Sequence, residues 1–186
     1  GAYALAYSWP GLIHDCGVEN ITIEAGSLSP VDENHAWEGV YIDAAEDCWV
    51  RMADFRQLAG SAVIVQRMAQ QVTVEDCRSF SPSSEIGGWR RRTFLTLGGK
   101  TLFQRCYSEE GINDFSAGYC APGPNAFVQC EAFASHGMSG SSSSWATGIL
   151  LDNMNIEGGS LSFKNLELDC WGGGWNTANS VLWECA

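Results

Sequence analysis

The chain has little charge, and most of what it has is of one sign. Charged residues make up 17% of its 186 positions, below the roughly 25% of an average globular domain. Acidic residues number 22 against 10 basic, for a formal net charge of −12. Such a field repels phosphate backbones and excludes a general nucleic-acid binder. No run of about 18 apolar residues occurs, so no membrane-spanning helix is expected. There is no initiator Met, and no basic segment followed by an apolar leader core. The chain is therefore read as processed, or as part of a longer β-helix chain. Sustained helical periodicity is missing. So are Asn-Gly and Asp-Gly, the dipeptides of tight hairpins, which disfavours a β-sandwich, the alternative all-β fold.

Cysteine is plentiful but unpaired in spacing. Cys16, Cys48, Cys77, Cys106, Cys120, Cys130, Cys170 and Cys185 include no CxxC, and the three histidines are scattered. A structural zinc site is not expected. Most of these cysteines close β-like runs: VTVEDC, TLFQRC, AFVQC and VLWEC. That position favours buried thiols stacked on one another over a disulfide framework, though stacked neighbours could still oxidise.

What is present is a degenerate repeat of short alternating runs. GVYID (39–43) and WVRMADF (49–55) match AVIVQ (62–66) with VTVEDC (72–77), and TFLTL (93–97) with TLFQRC (101–106). VENITIE, GILLDN, SLSFKNL and SVLWEC continue the pattern. Aligning run ends puts Phe55, Cys77, Cys106 and Cys130 in one column, 22, 29 and 24 residues apart. A period of this kind with variable insertions predicts a β-solenoid, whose stacked rungs form parallel sheets around an apolar core. Insertions at 25–38, 78–91, 107–125, 134–146 and 169–179 hold most of the Gly, Pro, Ser and Trp. In solenoids such segments gather on one face, often the binding face.

Several segments then look familiar together. GVENITIE, DENHAWEGVYIDAAEDCWV, VTVEDCRS, SEIGGWRRRTF, LFQRCYSEEG, APGPNAFVQCEA and GWNTANSVLWECA resemble bacterial secreted proteins of the pectate-lyase-like superfamily. The resemblance runs from about Gly17 to Ala186. It implies a single all-β domain, a right-handed parallel β-helix of about five to seven rungs with long loop insertions. It also implies an extracellular or periplasmic location and a polysaccharide partner. Where members of the family carry Arg-His before Asp-Phe, this chain has Ile112-Asn113 before Asp114-Phe115.

The candidate chemistry is local. Arg90, Arg91 and Arg92 form the only dense basic run, and arginine's planar fork suits a uronate carboxylate. Neutralising that carboxylate would ease β-elimination, with Arg91, Arg92 and Asp114 as the expected catalytic groups. Trp89, Trp145 and Trp175 offer indole faces for sugar rings, and with Arg90 and Glu110 they complete the expected substrate-binding set. Trp37, Trp49 and Trp171 also lie in or beside insertions. The plainer reading of the arginines is ion pairing with Glu85, Glu109 or Glu110. The resemblance further implies Ca²⁺ held by carboxylates such as Glu85, Glu109, Glu110, Asp114 or Asp152, although no EF-hand loop is present. The alternative function is a non-catalytic structural or adhesive module, self-associating through open solenoid ends into a filament or matrix.

Overall fold

A computed structural model describes residues 2–6, 8–169 and 173–186. Cys170 and Trp171 lie outside the described residues. The elements are strands, and every strand pair among them is parallel. The chain is thus all-β and consistent with a β-solenoid.

Six strands make one sheet: β3 (Val40–Ile42), β5 (Val63–Val65), β8 (Phe94–Thr96), β11 (Phe115–Gly118), β14 (Met138–Ser142) and β18 (Ser160–Ser162). They neighbour one another in chain order. A twelve-stranded sheet repeats that order twice. One arm runs through β4 (Ala45–Arg56), β6 (Gln70–Glu75), β9 (Thr101–Gln104), β12 (Asn125–Val128), β16 (Ile149–Asp152) and β20 (Val181–Trp183). The other starts again from β4 and runs through β7 (Arg78–Phe80), β10 (Tyr107–Glu109), β13 (Glu131–Phe133) and β17 (Asn155–Ile156). β1 (Ile13–His14) and β2 (Gly17–Glu24) pair with β4, and β15 (Ala146–Thr147) pairs with β19 (Thr177–Ala178).

β4 belongs to both arms because one strand turns a corner. Its first half pairs with β6 and its last three residues with β7. The corner is a single left-handed residue at Met52, repeated at Asp76, Arg105, Gln129 and Asn153, with φ between 49° and 54°. Non-glycine residues seldom adopt this region, and Asp and Asn tolerate it best. Here it redirects the chain without a loop. The residue after each corner points inward: Ala53, Cys77, Cys106, Cys130 and Met154 are all buried.

This register corrects the expected column. Cys77, Cys106 and Cys130 do stack, but Ala53 completes the column and Phe55 pairs with Ser79. The alignment by run ends slipped two residues because β4 continues past its corner while the other runs stop at theirs. The three stacked thiols are free, and each donates weakly to a carbonyl of the preceding pass, such as Cys106 Sγ to Val74 O at 3.6 Å.

Between the sheets lie paired phenylalanines. Phe94 stacks on Phe115 at 5.4 Å and Phe103 on Phe127 at 4.8 Å, with edge contacts joining the two pairs. Polar interior positions are satisfied in place. The Asn125 side chain accepts from Thr101 N and donates to Gly98 O and Pro122 O. No helix of the described residues is long and apolar enough to cross a membrane.

Candidate functional site

The three arginines diverge. Arg90 forks onto both carboxylate oxygens of Glu33, the Nη2 bond measuring 2.8 Å, and its guanidinium lies 5.8 Å from the Trp37 ring. The expected partners were Glu85, Glu109 and Glu110. Glu33 sits 57 positions earlier, and only the fold brings its insertion beside Arg90. This pairing holds the Glu33 carboxyl below its ordinary pKa, chiefly through the Arg90 hydrogen bond.

Arg91 is buried, with left-handed φ of 53°. Its Nη2 donates to Ser84 O at 2.5 Å, and Nη1 faces a Glu110 carboxylate oxygen at 3.3 Å. Burial lowers its pKa while Glu110 opposes that shift. Glu110 itself is half-exposed, so it reaches solvent while tied to a buried partner. Arg91 lies beneath the surface and presents no donor outward.

Arg92 differs from both neighbours. Its Nη1 donates to the Tyr119 hydroxyl at 2.7 Å. Its guanidinium lies 4.0 Å over the Trp89 ring and 5.6 Å from the Tyr119 ring. The two rings stack at 5.5 Å. Among the described residues no carboxylate comes within ion-pair distance of Arg92, and its Nε is buried without a partner. Stacking stabilises a cation, but an unpaired buried N–H costs about 1–3 kcal/mol.

This cluster sits on the outer face of the six-stranded sheet. Strand alternation turns Phe94 and Phe115 inward, so the adjacent Leu95 and Ser116 face outward. Ile64, Leu95 and Leu97 form a second apolar cluster, separate from the main core, packed against Tyr119. Next along the face come Ser116 and Ser142, whose hydroxyls are buried without partners.

Where the strands of this sheet end, aromatic residues follow one another. Tyr119 comes directly after β11, and the next residue donates from Cys120 N to Ser144 O at 2.8 Å. Trp145 N then donates to Trp175 O at 3.2 Å. Trp89, Trp145 and Trp175 are all more than half exposed. The fold therefore joins Trp145 to Trp175 through the backbone just after β14 and stacks Trp89 on Tyr119 just after β11; Tyr119 carried no signal in the sequence beyond its place in an insertion.

Asp114 lies elsewhere. It is fully buried at the start of β11, accepting from Ser108 Oγ at 2.6 Å, Ser135 Oγ at 2.5 Å and Gly111 N at 3.1 Å. Desolvation raises its pKa, and these bonds pull the other way. With no path to solvent, the carboxylate staples a turn in this structure. His35 is likewise spent on structure, between Ala36 O and Ser83 O. Among the described residues no group of three or more His, Cys, Asp or Glu stands where it could hold a metal ion. No step is routed through Ca²⁺.

No known protein family, curated protein or solved structure matches this chain.

Proposed function

We propose that the chain is a right-handed parallel β-helix of pectate-lyase-like type, exported from the cell, that binds an acidic polysaccharide across the outer face of the six-stranded sheet. The observation that carries this reading is Arg92: a cation laid on Trp89, without a carboxylate partner and with an unpaired Nε. Arg92 is itself buried beneath Trp89 and Tyr119, so its charge would attract a uronate carboxylate from below while the sugar ring lies on the exposed indoles of Trp89, Trp145 and Trp175. Arginine and aromatic faces are the pair that acidic sugars require. The net charge of −12 confines such binding to a local site.

The lyase step would be β-elimination. A base would take the proton beside the uronate carboxyl, the C–O bond to the neighbouring sugar would break, and a ring double bond would form. The departing oxygen would take up a proton. Arg91, Arg92 and Asp114 are all buried, and none of them stands where it could take that proton; Arg92 contributes only its unpaired positive charge.

The experiment is calorimetric titration with a panel of oligouronates and neutral oligosaccharides, alongside ultraviolet absorbance for the unsaturated product. Binding of an oligouronate, lost in R92Q and in W89A, is the expected result. Equal affinity for neutral sugars, or undiminished binding in R92Q, would remove the reading.

A further inference from the structure

Six of the ten basic residues, all arginines, stand within ion-pair distance of a carboxylate: Arg51, Arg56, Arg78, Arg90, Arg91 and Arg105. Among the described residues Arg67, Arg92, Lys100 and Lys164 do not. In a protein this acidic, an unneutralised cation has many carboxylates available, so where such cations gather is informative. Arg67 and Lys100 come to one place, Lys100 with a single side-chain partner, the neutral Gln71 Oε1 at 3.2 Å. Both line a groove of about 500 Å³, within the range of small-ligand sites, ~300–1,000 Å³.

The groove is built where the chain leaves the six-stranded sheet for the next arm, on a different side from Arg92. Its floor comes from three successive passes. Gln70 bridges Gly99, and Pro122 of the next pass packs against Gly99. Glycine is required at Gly123, and Gly99 is tightly packed. A Cβ on Gly123 would lie 2.4 Å from Thr147 O, and one on Gly99 would lie 3.1 Å from Pro122. The absent side chains let adjacent passes pack closely beneath the groove. Trp9 and Met68 form half-exposed apolar walls. Glu46, the one acid lining the groove, accepts from Gln70 Nε2 at 2.8 Å instead of pairing with either cation.

We propose that this groove binds a tetrahedral oxyanion ester borne on a sugar ring, a phosphate or a sulfate. Two separate cations on successive passes suit an anion with three free oxygens, whereas a carboxylate has two, which one arginine fork occupies. Lysine contributes a point charge and arginine a directional fork. The indole of Trp9 takes the face of the ring. The site is independent of Arg92 and of the polysaccharide reading.

The test follows the tryptophan indole N–H resonances by NMR, with W9F identifying that of Trp9. Glucose 6-phosphate and glucose 6-sulfate are titrated separately, with glucose and inorganic phosphate as controls. A saturable shift of the Trp9 signal by at least one ester is expected, and which ester gives it assigns the anion. R67Q and K100Q should each weaken binding by roughly ten- to a hundredfold, the worth of a charge-assisted hydrogen bond. R67K should recover part of the loss, and R92Q should leave the titration unchanged. Both cations are exposed on turns, so thermal unfolding of the variants should match the parent and exclude misfolding. No saturable shift with either ester, an equal response to glucose, or full affinity in the R67Q/K100Q double variant would overturn the proposal.

Discussion

Replacing Asp114 by asparagine and by alanine distinguishes a structural carboxylate from a reactive one. The side chain has no exposure and accepts three hydrogen bonds, from Ser108 Oγ, Ser135 Oγ and Gly111 N. Among the described residues no cation pairs with it. Burial raises its pKa in the folded state, so the fold holds the proton more tightly than the unfolded chain does. Stability contributed here therefore falls as pH rises from the ordinary carboxylate value through the raised folded one, and is level above it. Asparagine removes the charge and keeps the shape. Its oxygen can accept from Ser108 and Gly111, and its amide can donate to Ser135 Oγ, which can turn its own hydrogen to Gly111 O, 3.4 Å away. D114N should lose less than about 1.5 kcal/mol and lose its share of the pH slope. D114A orphans two hydroxyls and an N–H, each worth ~1–3 kcal/mol. Ser108 already has a second partner in Thr93 Oγ1 at 2.9 Å, which brings the expected total to about 2–5 kcal/mol. Urea unfolding followed by circular dichroism across mildly acidic to neutral pH measures all of this. Equal losses in the two variants, or an unchanged pH slope in D114N, would refute the reasoning. A fully stable D114N that no longer binds an oligouronate would return Asp114 to a functional role.

Truncation of Phe115 to alanine removes the Phe94 stack and the Phe127 edge contact and should cost about 3–5 kcal/mol; a loss under ~1 kcal/mol in thermal unfolding would contradict the packing described. Gly118→Ala should sharply lower soluble yield and melting temperature, because its Cβ would sit 2.2 Å from Ser142 O, a backbone atom that cannot swing aside. Glu33 should titrate below an ordinary glutamate in carbon-detected NMR, and R90Q should return it to the ordinary value. The pair's small, salt-sensitive stabilisation is present above the ordinary carboxylate pKa and disappears as pH falls through the lowered one. An unchanged Glu33 titration in R90Q would show that the ion pair does not form in solution.

Alternation in the longer runs was readable directly. GVYID, AVIVQ, TFLTL and GILLDN contain β3, β5, β8 and β16, because a strand with one face inward writes a period of two into its sequence. Strands β7, β10, β11, β14 and β19 lie in segments that read as insertions. Their sequences, RSF, YSE, FSAG, MSGSS and TA, are too short or too small to alternate. They are strands because neighbouring passes complete their hydrogen bonds. The two-residue slip between Phe55 and Ala53 has the same origin, since a left-handed corner leaves no mark when Met, Arg or Gln occupies it.

By itself, the sequence determined that the chain coils in parallel strands, that cysteines stack inside it, and that arginine and tryptophan concentrate in the segments between long runs. Those properties depend on neighbours a few positions away and on like residues recurring at a period. Only the tertiary structure decided which arginine is left without an acid. Arg90, Arg91 and Arg92 are consecutive and chemically identical, yet one is claimed by Glu33, one by Ser84 and Glu110, and one lies on Trp89 without an acid. The difference rests on contacts between passes up to 57 residues apart, and local spacing does not encode those.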